Sequence, residues 1–190
     1  MTEISDRYRR LAEGFTARVA EVPQDDARWA NQSPCEEWRA RDVVEHMVTT
    51  HQMFFGFIDH QVPAGPAVAD DALGAWATVR DAMQAALEDP SLATAEFDGF
   101  FGRTRFEDAV NRFISGDVLL HTWDLARGLG IDDRLPEDEV ATARAGLEGL
   151  GDDMRQPGVF GPEVEPPADA DAQDRLLAFV GRDPRFGSST

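Results

Sequence analysis

Asp117 and His121 stand one helical turn apart, and a carboxylate and an imidazole at that spacing can grip one cation. An α-helix advances about 100° per residue. On an unbroken helix, Phe106, Val110, Phe113, Ile114, His121, Asp124 and Gly128 therefore project to the side that carries Asp117. Acid and imidazole thus interrupt what would otherwise be an apolar stripe. A buried carboxylate costs roughly several kcal/mol unless something pairs it. A metal ion is one such partner, and a hydrogen-bonded His–Asp cluster without metal is the other.

A third donor comes from an earlier segment. His46 shares a helical face with Val43, Thr50, Met53 and Phe57, so that helix is expected to turn an imidazole inward as well. His46, Asp117 and His121 would form a two-histidine, one-carboxylate tripod. Such a tripod leaves coordination positions open, as catalytic metal sites do and structural ones do not. Zn²⁺ suits it best, and Ni²⁺ or Fe²⁺ would also accept it.

Other polar residues near this set have two readings each. Asp124, one turn beyond His121, either orients a ligand histidine or pairs an arginine. Arg112 and Arg127 are candidates to hold a substrate carboxylate in a two-pronged grip. His51 is offset about 140° from His46 and is expected at the surface or between helices, outside the donor set. His60 falls at a helix end, where it complements the dipole. Cys35 precedes a helix N-terminus, the setting of reactive thiols, but beside Pro34 and Trp38 it reads more simply as packing outside the donor set. Trp38 and Trp123 read as core.

The elements that position these residues are helical. Tyr8, Leu11, Phe15, Val19 and Val22 make the stripe of a helix from about Ser5 to Val22. A loop from Pro23 to Pro34 leads to a second helix, about Arg39 to Asp59. After a Pro/Gly linker (Val62 to Ala69), Trp76, Val79, Met83 and Leu87 define a third, about Asp71 to Glu88. Ala95, Phe97 and Phe100 around Asp98-Gly99 suggest a short hairpin. Thr104 and Glu107 look like the capping box of a fourth helix that ends at Gly128 or Gly130. A fifth follows Pro136 to about Met154. Gln156 to Ala170 reads as extended surface chain, and a last helix, about Ala172 to Val180, docks through Leu176, Leu177 and Phe179. The expected class is all-α: a four-helix bundle over about 5–155 with a C-terminal extension over about 156–190, together one domain.

Composition narrows the chemistry. The 190 residues include 36 acidic and 18 basic ones, a net charge of −18, which argues against nucleic acid and anionic membranes as partners. Every basic residue is Arg, so Schiff-base and P-loop lysines are excluded. One cysteine forbids an intrachain disulfide. Met1 to Arg10 has no apolar signal-peptide core, and no apolar run approaches the ~20 residues of a membrane span. The cytoplasm is the expected compartment. A homodimer is left open.

Three stretches carry a family resemblance. Ser33-Pro34-Cys35-Glu36-Glu37-Trp38 and Arg41-Asp42-Val43-Val44-Glu45-His46 are the first two. The third is Asp117-Val118-Leu119-Leu120-His121-Thr122-Trp123-Asp124-Leu125-Ala126. Together they resemble the DinB-like metal-binding superfamily, in its actinobacterial branch with the N-terminal domain of mycothiol-dependent maleylpyruvate isomerase. Ala172-Gln173-Asp174-Arg175-Leu176-Leu177 and Gly181-Arg182-Asp183-Pro184 also fit short members of that branch. The resemblance spans nearly the whole chain and implies a DinB-like four-helix bundle. It also implies metal ligation by His46, Asp117 and His121, with Asp117 where the isomerase has Glu. Asp reaches less far than Glu. The isomerase also has a further C-terminal domain, so the likeness speaks to the metal site more than to the isomerase reaction.

Three functions follow as expectations. The leading one is a metal-dependent transferase or isomerase that uses a small thiol, by resemblance mycothiol, against an electrophilic substrate. The thiol would bind the ion's open position as thiolate. The others are a non-catalytic metal- or small-ligand-binding module, and metal-assisted hydrolysis.

Overall fold

The computed structural model describes residues 2–99, 102–149 and 160–187. In chain order the helices are α1 (Glu3–Glu21), α2 (Ala40–Gly56), α3 (Ala72–Glu88) and the short α4 (Pro90–Ala93). A two-stranded hairpin follows, β1 (Glu96–Gly99) antiparallel to β2 (Gly102–Arg105). Then come α5 (Phe106–Ala109), a π-helical turn (Val110–Ile114), α6 (Ser115–Leu129), α7 (Glu137–Glu148) and α8 (Ala172–Phe179). α1 and α2 each pack on both α3 and α6, which closes the expected all-α, DinB-like four-helix bundle.

Local chemistry explains most boundaries. Thr2 and Ser5 cap α1 reciprocally, each side chain accepting from the other's backbone N–H. The α1 stripe is buried as expected, at roughly 1.5–3 kcal/mol per large apolar side chain. Asp71 caps α3 through the N–H of Gly74 at 2.8 Å. Trp76, Val79, Met83 and Leu87 face inward, and the Trp76 indole N–H donates to Thr16 Oγ1 at 2.8 Å, so burial strands no donor. α6 stops at Gly130, whose φ of 66° is the left-handed conformation that glycine adopts freely.

Helix α2 differs in phase from the sequence expectation. Its buried side runs through Val43, Val44, Met47, Val48, His51, Phe54 and Phe55; Val43 is inward as expected, while Met53, also expected inward, is 51% exposed. His46 therefore lies at the margin of the core, partly exposed, and not within it. His51 is fully buried between helices, so the surface alternative for it is excluded. Apolar residues occupy more than one stripe of this helix. Packing against both α3 and α6, which periodicity does not encode, decides which stripe is buried.

The fourth long helix departs more. Thr104 is no N-cap; it lies in β2, paired with Phe97, and Phe106 N–H donates to Ala95 O at 2.8 Å to seat the helix start on the hairpin. Asp98 and Gly99 end β1 and pair with Arg103 and Gly102, so they are not the turn; Phe100 lies outside the described residues. The helix is also not an unbroken α-helix. The π turn shifts its phase by about 100°, one residue's worth. Phe106 stays fully buried while Asp117, expected on the same stripe, comes out beside it and is partly exposed.

α7 is described as far as Glu148, and the expected continuation to Met154 lies outside the described residues, as do 156–159 of the predicted extended stretch. Residues 160–167 form neither helix nor strand and are mostly exposed, a turn follows at 168–169, and Val164 N–H is anchored on Ala178 O. Leu176 and Leu177 of α8 are fully buried. Beyond α8 the chain turns at Gly181 (φ 83°) against the Pro162 carbonyl and runs back toward α6. Among the described residues no helix is long and apolar enough to cross a membrane.

Candidate metal centre

α2 and α6 lie antiparallel, because Ala40 meets Gly128 at one end and His46 meets Asp117 farther along. The approach is close. A β-carbon on Gly128 would lie 3.1 Å from that of Ala40, so glycine there lets the two helices meet.

Asp117 sits between two imidazoles. Its Oδ2 is 3.1 Å from His46 Nε2 and its Oδ1 is 3.3 Å from His121 Nε2. The two rings are 4.7 Å apart, edge to face. His121 Nδ1 faces Asp124 Oδ2 at 2.9 Å. Asp124 has no exposed surface, and Arg182 grips it with Nε 2.8 Å from Oδ1 and a terminal nitrogen 2.7 Å from Oδ2. The Cys35 thiol donates to the same Oδ2 at 3.3 Å. Of the two expected readings of Asp124, the arginine pair is present, while His121 Nδ1 lies 2.9 Å away without a well-aligned hydrogen bond.

The loop before α2 supplies the remaining wall. Ser33 N–H bonds to Trp38 O and Trp38 N–H to Cys35 O, while the Gln32 amide bridges the carbonyls of Ser33, Cys35 and Trp38. Glu37 takes a left-handed φ of 64° to complete the turn. So fixed, Trp38 packs against His46 at 4.8 Å and stacks on His121 at 5.7 Å between ring centroids.

The proton inventory is informative. His121 has a carboxylate oxygen near each ring nitrogen, Asp124 Oδ2 at 2.9 Å from Nδ1 and Asp117 Oδ1 at 3.3 Å from Nε2, although Nδ1 makes no well-aligned hydrogen bond. A neutral ring carries one N–H, so on the tautomer with Nδ1–H its Nε2 turns a lone pair toward an oxygen of Asp117. Two electron-rich atoms 3.3 Å apart need positive charge between them, either a second proton on the ring or a metal cation. Burial pushes the His121 imidazolium toward losing its proton, but Asp117 and then Asp124 outweigh it and hold the ring well above the usual histidine range. Burial likewise pushes the Asp117 carboxyl up, and His121 and His46 hold it well below the usual carboxylate range. For Asp124, Arg182 and His121 overcome burial in the same direction.

The donor set suits a small divalent ion. Donors at about 2.0–2.2 Å from a tetrahedral centre lie about 3.3–3.6 Å from one another, close to the two oxygen–nitrogen separations found here. His46, Asp117 and His121 offer one ligand atom each, all within 4.8 Å of one another. Cys35, His121 and Asp124 form a second such group. The two groups share His121 and claim its opposite nitrogens.

The remaining candidates separate. Arg127 is turned away from the donors: it pairs Asp133 at 2.6 Å, donates to Pro184 O and lies over Trp123. Arg112 lies over Phe113 at the wall of a cavity of about 350 Å³, which Phe54, Phe57 and Phe97 also line. Phe113, four residues before Asp117 in sequence, also lines that cavity, and none of the three donors does. His60 is exposed just past α2, with its ring 5.4 Å from that of Phe55. Trp123 is core, as expected. Trp38, read as core, instead faces the two histidines. Cys35 and Arg182 were not assigned to the site from sequence; Arg182 stands in a segment that resembles the family, but only the fold shows what it touches.

Comparison with known proteins gives the same family. The profile of the mycothiol maleylpyruvate isomerase N-terminal domain matches residues 8–126. Two uncharacterized proteins, from two strains of Mycobacterium tuberculosis, are each 30% identical over 182 residues, covering 92% of this chain and 95% of the relative. No solved structure matches.

Proposed function

The chain belongs to the mycothiol maleylpyruvate isomerase N-terminal domain family, and from that premise we propose that it binds one divalent metal ion on His46, Asp117 and His121 and uses a mycothiol-type thiol, as a transferase or isomerase acting on a small electrophile. Zn²⁺ is the first choice of ion, with Ni²⁺ and Fe²⁺ next. When bound, the ion supplies a Lewis-acid position at which a thiol gives up its proton. The observation that carries this reading is the placing of His46 Nε2 and His121 Nε2 at 3.1 and 3.3 Å from the two oxygens of the Asp117 carboxylate, an arrangement that suits a cation.

The residues divide the work. Asp117 supplies charge, His46 and His121 supply neutral nitrogen donors, and Asp124 keeps the His121 proton on Nδ1. Trp38 shields one side of the donors from water. The cavity lined by Phe54, Phe57, Phe97 and Phe113 is large enough for a small organic substrate. The strong negative charge favours small-molecule partners over nucleic acid or membranes, and we place the chain in the cytoplasm.

One observation favours a second reading. The same cluster is balanced by a proton on His121, as its raised proton affinity indicates, and it would then serve a ligand-binding module without metal. Elemental analysis of protein purified without a metal-affinity tag distinguishes the two: about one divalent ion per chain is expected. Cobalt-substituted protein should then develop near-ultraviolet charge-transfer absorption when mycothiol or a simpler thiol is added. Full metal retention in both His46→Ala and His121→Ala would sink the site. Metal without a thiol response would put a binding module or hydrolase ahead.

A further inference from the structure

His121 stands between two donor groups, and something must decide which of them holds an ion. The Nε2 side offers His46 and Asp117; the Nδ1 side offers Cys35 and Asp124. The second group contains a sulfur, which soft or borderline ions prefer. Arg182 lies across that group. Its guanidinium binds both oxygens of Asp124 and comes within 3.8 Å of Cys35 Sγ. With 12% of its side chain exposed, it is a nearly buried charge whose direct partner is the fully buried Asp124.

We propose that Arg182 is a positioning residue that commits Asp124 to His121 and keeps the ion at His46, Asp117 and His121 by denying it the Cys35–Asp124 pair. A cation on the Cys35 side would sit beside the guanidinium and compete with it for the same carboxylate oxygens. With Arg182 in place, Asp124 is left beside His121 Nδ1, 2.9 Å away, as the acceptor this role assigns to it. That fixes the tautomer and aims Nε2 at Asp117.

Arg182 lies beyond Ala126, where the family match ends. It is delivered by the return of the chain at Gly181, where Arg182 N–H is held by Leu177 O at 2.9 Å. Farther along, Pro184 O accepts from Arg127 on α6 at 2.7 Å. The C-terminal segment is therefore part of the site and not an appendage to the bundle.

This role rests on the metal reading above, and cobalt binding to the full chain tests both apart. Arg182→Ala should weaken cobalt affinity about 10–100-fold, the usual range for a lost outer partner of a ligand. It should also bring in near-ultraviolet sulfur-to-cobalt absorption with no thiol added, and the Arg182→Ala/Cys35→Ser double variant should lose that band. Arg182→Lys, which keeps the charge, should stay free of the band. Should Arg182→Ala lose its helical far-ultraviolet signal, Arg182→Gln is read by the same two criteria. Unchanged affinity and spectrum in a folded variant, or a Cys35-dependent band already in the wild type, overturn the role of Arg182 alone. A wild type that binds no cobalt overturns the metal reading and this role with it.

Discussion

Trp38 and His121 stack with their ring planes 26° apart, so an indole from the loop before α2 lies against an imidazole carried by α6. Stacking of this kind holds the imidazole plane from one face, and Asp124 lies 2.9 Å from its Nδ1. It also places a fluorophore beside the candidate donors.

Cobalt or nickel bound to His46, Asp117 and His121 should therefore quench tryptophan emission. The chain has four tryptophans, and Trp38→Phe should remove most of the metal-dependent change while leaving the metal content near that of the wild type. Equal quenching in wild type and Trp38→Phe would mean the ion is held elsewhere.

Asp117 is the only anion of its donor group. Asp117→Asn keeps the shape and loses the charge, and should lower divalent-metal affinity by about 100-fold or more, beyond the 10–100-fold typical of an outer partner. Isothermal titration gives the number. An affinity within a few-fold of wild type would remove Asp117 from the set.

Cys35 touches Asp124 and lies on the Nδ1 side of His121. In the wild-type background Cys35→Ser should leave intact both the metal content and the near-ultraviolet response to added thiol. Loss of either would make Cys35 a ligand and the site a closed one.

His51 gives a pH signature unrelated to metal. Tyr8 O–H and Met47 O engage its two nitrogens at 3.0 and 2.7 Å, and burial lowers its pKa from 6.5 to about 4. The folded state therefore resists the proton that the unfolded chain accepts. The stabilisation is complete above pH 6.5 and is lost as pH falls toward 4, by about 3 kcal/mol for one such group. Urea unfolding across that range should show wild type losing about that much more than His51→Gln. Metal affinity should stay within a few-fold in the variant. A parallel acid limb in the two proteins would show that His51 is not the group responsible.

How much was legible in the sequence depended on whether the information was local. The α1 and α3 stripes, the α3 start at about Asp71 and the stop at Gly128 or Gly130 follow from spacing and residue type alone, and the structure has them, with the stop at Gly130. The pairing of Asp117 with His121 also followed, since the two positions share a helix face under any phase, whereas His46, expected within the core, stands at its margin. What periodicity lacked was packing. Met53 came out to solvent, and His51 took the second of its two expected places, between helices, because α2 has apolar residues on two stripes and its neighbours choose between them. Arg182 reaches Asp124 only through the return of the chain past α8, and Trp38 reaches both histidines only through the loop bonded by Gln32. Neither relation leaves a mark within one helix.

The π turn at Val110–Ile114 amounts to one residue too many in an otherwise regular helix. Deleting a single residue there would give a continuous α-helix of the same apparent quality. It would also rotate Phe106 and the hairpin seated on it by about 100° relative to Asp117. Either the hairpin would leave the bundle, or Asp117 would swing into the core stripe and part from His46. The extra residue lets one helix anchor an apolar end and still present a carboxylate and an imidazole at the edge of the core. A relative lacking it would need a different register between its hairpin and its donors.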